Sequence, residues 1–308
     1  MDSKMKTILK SVLKPGRYTG GEYGQVIKDK NTVKARFAFC FPDTYEIGMS
    51  NLGVRLLYGV LNREDDIWCE RVYAPWVDME EKMRENGIKL WAHESGDPVS
   101  DFDIVGFTLQ YELCYTNVLN MLELSGIPLF SSERGEDDPI IVGGGPCAYN
   151  AEPIADYFDV FSIGEGEDAL VEMTRLYISM KESGEYTRKE YLHRLARIPG
   201  FYVPSLYTVE YNSDGTVKSY TPVYDDIPVR VLKRIMPDMD KSYFPDRLVM
   251  PYIETVHDRI VLEVYRGCIR GCRFCQAGMI FRPVREKTAE VLIEQAKCLF
   301  DCTGFVEI

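Results

Sequence analysis

The sequence predicts an α/β protein: a doubly wound, mostly parallel sheet first, then the opening of a second β-loop-α unit. Three observations predict it. Five short apolar runs alternate with helix-spaced patterns between residues 33 and 180, the order that parallel strands and crossover helices leave in a sequence. Turn-rich or glycine-rich segments follow those runs, where such sheets bind their ligands. Near the end, a strand-like run leads directly into three closely spaced cysteines and then a capped helical pattern.

In chain order, residues 1–30 read as a leader. Its short helix covers the basic, amphipathic stretch from Met5 to Leu13, which lacks the apolar core and cleavage site of a secretory signal. Residues 31–185 carry the sheet. Phe37-Ala38-Phe39 is its first strand, and the turn-rich loop 42–53 follows. Leu52, Leu56, Leu57, Val60 and Leu61 keep helical spacing. A second strand near residues 71–74 precedes a charged helix over 79–85, closed by Asn86-Gly87. Residues 103–108 form a buried strand, and Tyr115, Val118, Leu119 and Leu122 mark the next helix. Strands at 139–142 and 160–163 run into Gly143-Gly144-Gly145 and Gly164-Glu165-Gly166-Glu167. The loops 42–53, 108–113, 143–146 and 164–167 therefore share the carboxyl edge of the sheet.

Residues 186–258 change character. Prolines 204, 222, 228, 237, 245 and 251 interrupt strand-like runs at 207–211 and 229–234, and Asp214-Gly215 is a hairpin signal. This is a connector. Residues 259–308 open the second unit: a strand over 260–264, the cysteine loop, and a helix N-capped by Thr288 with Glu290 in its first turn. Leu292, Ile293, Ala296, Leu299 and Phe300 form its apolar face, Gly304 ends it, and Phe305 begins another strand.

Composition narrows the function classes. No run approaches the roughly 18 apolar residues of a membrane-spanning helix, so no membrane partner is expected. Nine cysteines in 308 residues, an odd number, fit free or metal-bound thiols in a reducing cytoplasm better than a disulfide framework. A net charge of −12 argues against nucleic acid as a partner. One basic cluster departs from that balance: Arg266, Arg270, Arg273, Arg282, Arg285 and Lys287 stand against Glu263 and Glu286. It serves to offset a bound negative group, to contact an anionic substrate or reductant, or merely as a solvated surface.

Cys268, Cys272 and Cys275 have the spacing Cys-x3-Cys-x2-Cys. Three thiolates so placed can share one centre, and soft sulfur ligands favour iron–sulfur clusters, zinc or copper(I). Structural zinc wants four ligands, whereas a cubane cluster held by three leaves one iron open. A zinc knuckle with a distant fourth ligand and three unrelated thiols are the plainer alternatives. Gly267, Gly271 and Gly278 give the loop room for a bulky ligand. Cys298 and Cys302 lie four residues apart with no third partner nearby and are expected to be buried free thiols. No role is assigned to Cys40, Cys69, Cys114 and Cys147.

The stretch from Arg266 to Gly278, with Phe274 before its third cysteine, resembles the first βα loop of radical S-adenosylmethionine enzymes. The resemblance implies that Cys268, Cys272 and Cys275 hold a [4Fe–4S] cluster whose open iron is chelated by S-adenosylmethionine. One electron, from a donor such as flavodoxin or ferredoxin, then yields methionine and a 5′-deoxyadenosyl radical. Phe274 matches the aromatic position that lies against the adenine. A second resemblance covers most of the chain: an α/β domain with Gly143-Gly144-Gly145, the Ile163-Gly164-Glu165-Gly166-Glu167 stretch, a proline-rich connector and the cysteine loop. It is similar to radical S-adenosylmethionine proteins with an N-terminal cobalamin-binding-type domain. The stretches 17–22, 251–259 and 281–285 are similar to one uncharacterised subfamily of these.

That resemblance adds cobalamin as a further cofactor and makes Gly143, Gly144 and Gly145 the place where a nucleotide tail approaches backbone. Read from the residues alone, the same glycines serve equally as a tight strand-to-helix turn. The axial-histidine motif of free-standing cobalamin domains is missing, since loop 42–53 has no histidine. His93 is expected to be an ordinary surface or turn histidine. Within the family, the S-adenosylmethionine-binding motifs lie on later strands of a (βα)6 partial barrel. The chain is thus expected to be part of a longer protein and catalytically incomplete alone. Cobalamin-dependent radical methyl transfer, RNA or protein modification, and a non-catalytic metal-binding interaction module stand as alternative functions for an unknown substrate.

Overall fold

The computed structural model describes residues 3–308, so the first two residues of the leader lie outside the described residues. Helix α1 (Ser3–Leu9) is shorter than its amphipathic pattern, because Leu13 donates its amide to Asp78 instead of continuing the helix. Strand β1 (Ala35–Phe41) leads through α2 (Tyr45–Ser50) to α3 (Leu52–Asn62). The Asn51 side chain accepts the Val54 amide and starts α3. Strand β2 (Ile67–Tyr73) and helix α4 (Val77–Asn86) follow, with Gly87 closing α4 at φ +62°. Next come β3 (Ile104–Thr108), α5 (Tyr115–Ser125), β4 (Ile140–Gly144), β5 (Val160–Ser162) and α6 (Glu167–Ser183). Helix α7 (Arg188–Ala196), capped by Thr187, delivers the chain to β6 (Phe201–Tyr202).

These strands form one six-stranded sheet in the order β2-β1-β3-β4-β5-β6. All neighbours are parallel except β6, which runs antiparallel to β5. The chain leaves β1 for β2 on one side and returns to β3 on the other. This reversal opens a crevice at the carboxyl ends of β1 and β3, where doubly wound sheets bind ligands. Phe37, Ile104, Ile140 and Val160 are fully buried within the sheet; burying each such side chain contributes about 1.5–3 kcal/mol. The sheet has one strand more than the five apolar runs suggest and continues past residue 185. Two residues of β6 are too short to show a period.

The connector holds the expected hairpin, β7 (Tyr207–Tyr211) against β8 (Val217–Pro222), with Gly215 at φ +83° in its turn. Residues 229–234 form no strand; Arg234 alone bridges to Gly164. The strand expected over 260–264 is also absent. Only β9 (Tyr265–Arg266) pairs, with β10 (Arg285–Glu286), on either side of the short helix α8 (Ala277–Ile280). A strand needs a neighbour to take its backbone groups, and residue 260 meets only the Glu307 carbonyl, at 3.0 Å. Residues 305–308 likewise form no strand.

Helix α9 (Ala289–Thr303) starts at Thr288 and ends at Gly304, φ +75°. Of its apolar face only Leu299 is buried, against Leu248 and Ile260, while Ile293 and Phe300 are exposed. The described residues contain no closed barrel, and no helix among them is long and apolar enough to cross a membrane.

Candidate metal centre and the sheet edge beside it

The two-residue ladder of β9 and β10 closes a loop that carries all three motif cysteines. Gly267 stands at φ +98°, and a Cβ there would come within 2.7 Å of the Pro283 carbonyl. Only glycine lets the chain turn at that point to present Cys268. The Cys275 amide donates to the Cys272 carbonyl at 3.1 Å, so these two share a turn before α8. Cys268 is half-buried, whereas Cys272 and Cys275 are exposed. None of the three thiols bonds to another described residue. Cys298 and Cys302, by contrast, are half-buried rather than buried and donate to the carbonyls of Asp246 and Leu299.

The thiols are not gathered: among the described residues no three Cys, His, Asp or Glu side chains are grouped to hold a metal. Phe274 projects into solvent, 94% exposed.

The loop docks on the sheet edge through charge. Glu165, past the end of β5, takes both terminal nitrogens of Arg285 at 2.6 and 2.8 Å, and Arg266 at 3.2 Å. Arg266 also reaches Glu167 at 2.5 Å and Glu263 at 2.7 Å. Burial pushes the Glu165 carboxyl upward, but the hydrogen bonds from Arg285 and the Met236 amide, with the charge of Arg266, hold it below its usual range. Two of the six basic residues in the cluster are thereby neutralised. Tyr149 and Lys233 add hydrogen bonds to the Ile280 carbonyl at 3.0 and 2.8 Å.

Glu165→Gln is expected to remove about 1.5–3 kcal/mol of this docking. Hydrogen exchange in the β9–β10 region should accelerate by roughly tenfold or more. Unchanged exchange there would mean that Tyr149 and Lys233 suffice.

Two spaces lie behind the loop. One, of about 160 Å³, lies between the sheet face and helices α3 and α6; Phe37, Gly106, Gly144 and Ser162 form its floor. The other is a groove of about 370 Å³ bounded by Glu165, Glu167, Glu263, Arg266 and Gly267. Gly53, Leu57 and Gly166 line both.

The glycine run divides its roles between the two faces of the sheet. Gly144 faces the smaller space. Gly143 turns away from it, and a Cβ there would come within 2.9 Å of the Phe161 ring. Gly145 stands at φ +100°, where a Cβ would lie 2.9 Å from the Leu109 carbonyl. Packing accounts for Gly143, whereas Gly144 and Gly145 both line the smaller space, Gly145 in a backbone conformation that a side chain would strain.

His93 lies in a turn, one of the two placements expected of it, but is buried rather than on the surface. It is 9% exposed, stacked on Tyr45 at 5.7 Å between ring centroids, and edge-on to Tyr73 at 5.0 Å. Its amide donates to the Arg71 carbonyl, and its Nδ1, with no hydrogen-bond partner, lies 3.9 Å from Glu22. Burial, reinforced by the Arg71 charge, lowers its pKa to about 4. It lines neither space at the sheet edge.

Arg71 centres this network. Its Nε donates to Glu94 at 2.6 Å and its Nη2 to Glu22 at 3.1 Å, all three side chains being buried. Sequence reasoning missed the network, because Glu22, Arg71 and Glu94 are far apart along the chain. One signal was available: a charged pair, Glu70-Arg71, in the middle of the otherwise uncharged strand β2.

Residues 53–204 match the family model for radical SAM proteins, N-terminal. The match covers the sheet from α3 through β6 and stops before the cysteine loop. Over 261 residues the chain is 26% identical to an uncharacterised protein of Methanocaldococcus jannaschii, covering 84% of this chain and 45% of that one. The chain therefore spans less than half the length of the curated relative it matches. A matched N-terminal region, followed outside the matched residues by Cys-x3-Cys-x2-Cys, supports placing the chain in the radical S-adenosylmethionine family.

Proposed function

We propose that the chain is the cluster-bearing part of a radical S-adenosylmethionine enzyme, with Cys268, Cys272 and Cys275 as the ligands of a [4Fe–4S] cluster. The observation that carries this reading is the donor set. Three thiols without competing partners sit on a loop free of regular structure between β9 and α8. Drawing them around one centre breaks no ladder and empties no core. Soft thiolates in threes suit a cubane with one open iron. When bound, the reduced cluster supplies one electron to cleave the sulfonium of S-adenosylmethionine.

The chain's own residues hold and place that loop. Glu165 and Glu167 fix its two ends through Arg285 and Arg266. Arg270, Arg273 and Arg282 remain exposed with no carboxylate partner among the described residues. They stand available to offset the negative charge of a cluster or to meet an acidic electron donor of the flavodoxin or ferredoxin kind. Phe274, free of intramolecular packing, is the aromatic face offered to an adenine ring.

Cobalamin ligated by a protein nitrogen does not fit, because no histidine lines either space at the sheet edge. The smaller of these, lined by Gly144, accepts only a small or flat group.

Anaerobic reconstitution with iron and sulfide tests the assignment. About four irons and four sulfides per chain are expected, and both should be lost when Cys268, Cys272 and Cys275 are replaced together by alanine. Stoichiometric zinc without labile sulfide would make the loop structural and end this reading.

A further inference from the structure

A cavity of about 590 Å³ lies apart from the sheet edge, between α3 and residues 243–249. It shares no lining residue with either space beside the cysteine loop. Arg55 lines it, half-buried, with its Nε donating to the Met49 carbonyl at 2.9 Å. No carboxylate stands within ion-pair distance of its guanidinium among the described residues. Every other arginine there that is buried or half-buried has such a partner, including Arg71 on the cavity floor, which is balanced by Glu22 and Glu94. A guanidinium withdrawn from water without a counter-charge is costly. Desolvation accordingly lowers the pKa of Arg55.

The surroundings say what kind of anion fits. Arg63 and Arg247 stand exposed at the rim, each over an aromatic ring, Tyr243 at 5.6 Å and Tyr23 at 4.6 Å. Asp246, also exposed, is the sole acid of the lining. Arg55 on α3 and Arg63, the residue that caps its C-terminus, lie about two helical turns apart, about 12 Å along the axis. Gly59 lies between them, and a Cβ there would strike the Tyr243 hydroxyl at 2.3 Å. Glycine at 59 thus lets an aromatic wall, Tyr243 with Phe244, close over the helix. The cavity falls within the roughly 300–1,000 Å³ of small-molecule sites.

We infer that this cavity binds a phosphorylated small molecule with a flat ring, a nucleoside monophosphate being the simplest form. Arg55 takes the phosphate, Arg247 and Arg63 assist from the rim, and Tyr243 and Phe244 face the ring. Guanidinium forks suit phosphate oxygens, and aromatic faces accept any base.

The test is calorimetric titration of the 308-residue chain with AMP, GMP, CMP and UMP, and separately with adenosine and inorganic phosphate. At least one nucleotide should bind more tightly than adenosine or phosphate. Arg55→Gln should weaken that binding roughly 10- to 100-fold with the circular dichroism spectrum unchanged. Should Arg55→Gln fail to fold, Arg247→Gln, on the exposed rim, decides instead, through roughly 3- to 10-fold weakening and a shallower salt dependence. Absence of nucleotide binding at millimolar concentration overturns the inference. Phosphate binding as tightly as any nucleotide overturns the ring-bearing class. Binding indifferent to the arginine variant that folds overturns the site.

Discussion

Arg71→Met is expected to cost about 3–5 kcal/mol of stability, measured by urea unfolding near neutral pH. Arg71 is 2% exposed and holds two buried carboxylates at once, Glu94 at 2.6 Å and Glu22 at 3.1 Å. The Arg71 amide also donates to Glu94, at 2.7 Å. Burial alone would lower the pKa of Arg71, yet Glu94, Tyr73 and Glu22 raise it well above the ordinary value. Methionine fills much of the volume but leaves both carboxylates facing each other without a cation.

That uncompensated charge, rather than lost packing, is the larger penalty. Adding Glu22→Gln and Glu94→Gln to Arg71→Met should therefore recover a large part of the loss. A single-variant cost below about 1 kcal/mol would mean that water reaches the carboxylates.

His93 makes stability fall in acid. It is held neutral, with a folded pKa of about 4 against about 6.5 in an unfolded chain. Below pH 6.5 the unfolded chain gains a proton that the folded chain refuses until about pH 4. The stabilising contribution is thus fully present above pH 6.5 and is lost as pH falls toward 4, to a total of about 3 kcal/mol.

The groups around the ring are Glu22, Arg71, Tyr45 and Tyr73. Of these, Glu22 also titrates in acid: burial raises its carboxyl, but Arg71 and His93 bring it below the usual range. Comparison with His93→Gln separates the two. Between pH 7.5 and 4.5 the wild type should lose about 2.5–3 kcal/mol more than the variant. Parallel stability curves would place the His93 ring in contact with solvent.

The sheet was legible because its signals are local. Alternating apolar runs and helical spacing locate β1 and β3 through β5 and catch the end of β2, which begins at Ile67 rather than near 71, and Asn86-Gly87, Asp214-Gly215 and Thr288 fall where a cap or a turn forms. Elements that depend on a distant neighbour were not. The run 260–264 is as apolar as the strands of the sheet, yet its backbone pairs only at its two ends, the Ile260 amide and the Val264 carbonyl, since hydrophobicity supplies no hydrogen-bond partner. Strand β6 was hidden by its brevity.

The same divide runs through the candidate site. Cysteine spacing is visible in a few consecutive residues, but the carboxylates that anchor the loop lie about a hundred residues upstream, at 165 and 167. Gly143 shows that one residue of a visible motif answers to packing. Its lack of a side chain answers the Phe158 and Phe161 rings, not the sheet-edge space.

Glu165 and Gly166 are consecutive, and each serves a different master: one clamps the cysteine loop, the other walls both spaces at the sheet edge. A ligand that repositioned residues 163–167 on entering the sheet edge would move the anchor of the loop as well. If the loop holds the proposed cluster, any such coupling acts equally on both places by reciprocity, and couplings of this kind typically amount to about 5- to 150-fold. The short span after β5 thus joins the anchor of the cysteine loop to the wall of the sheet edge.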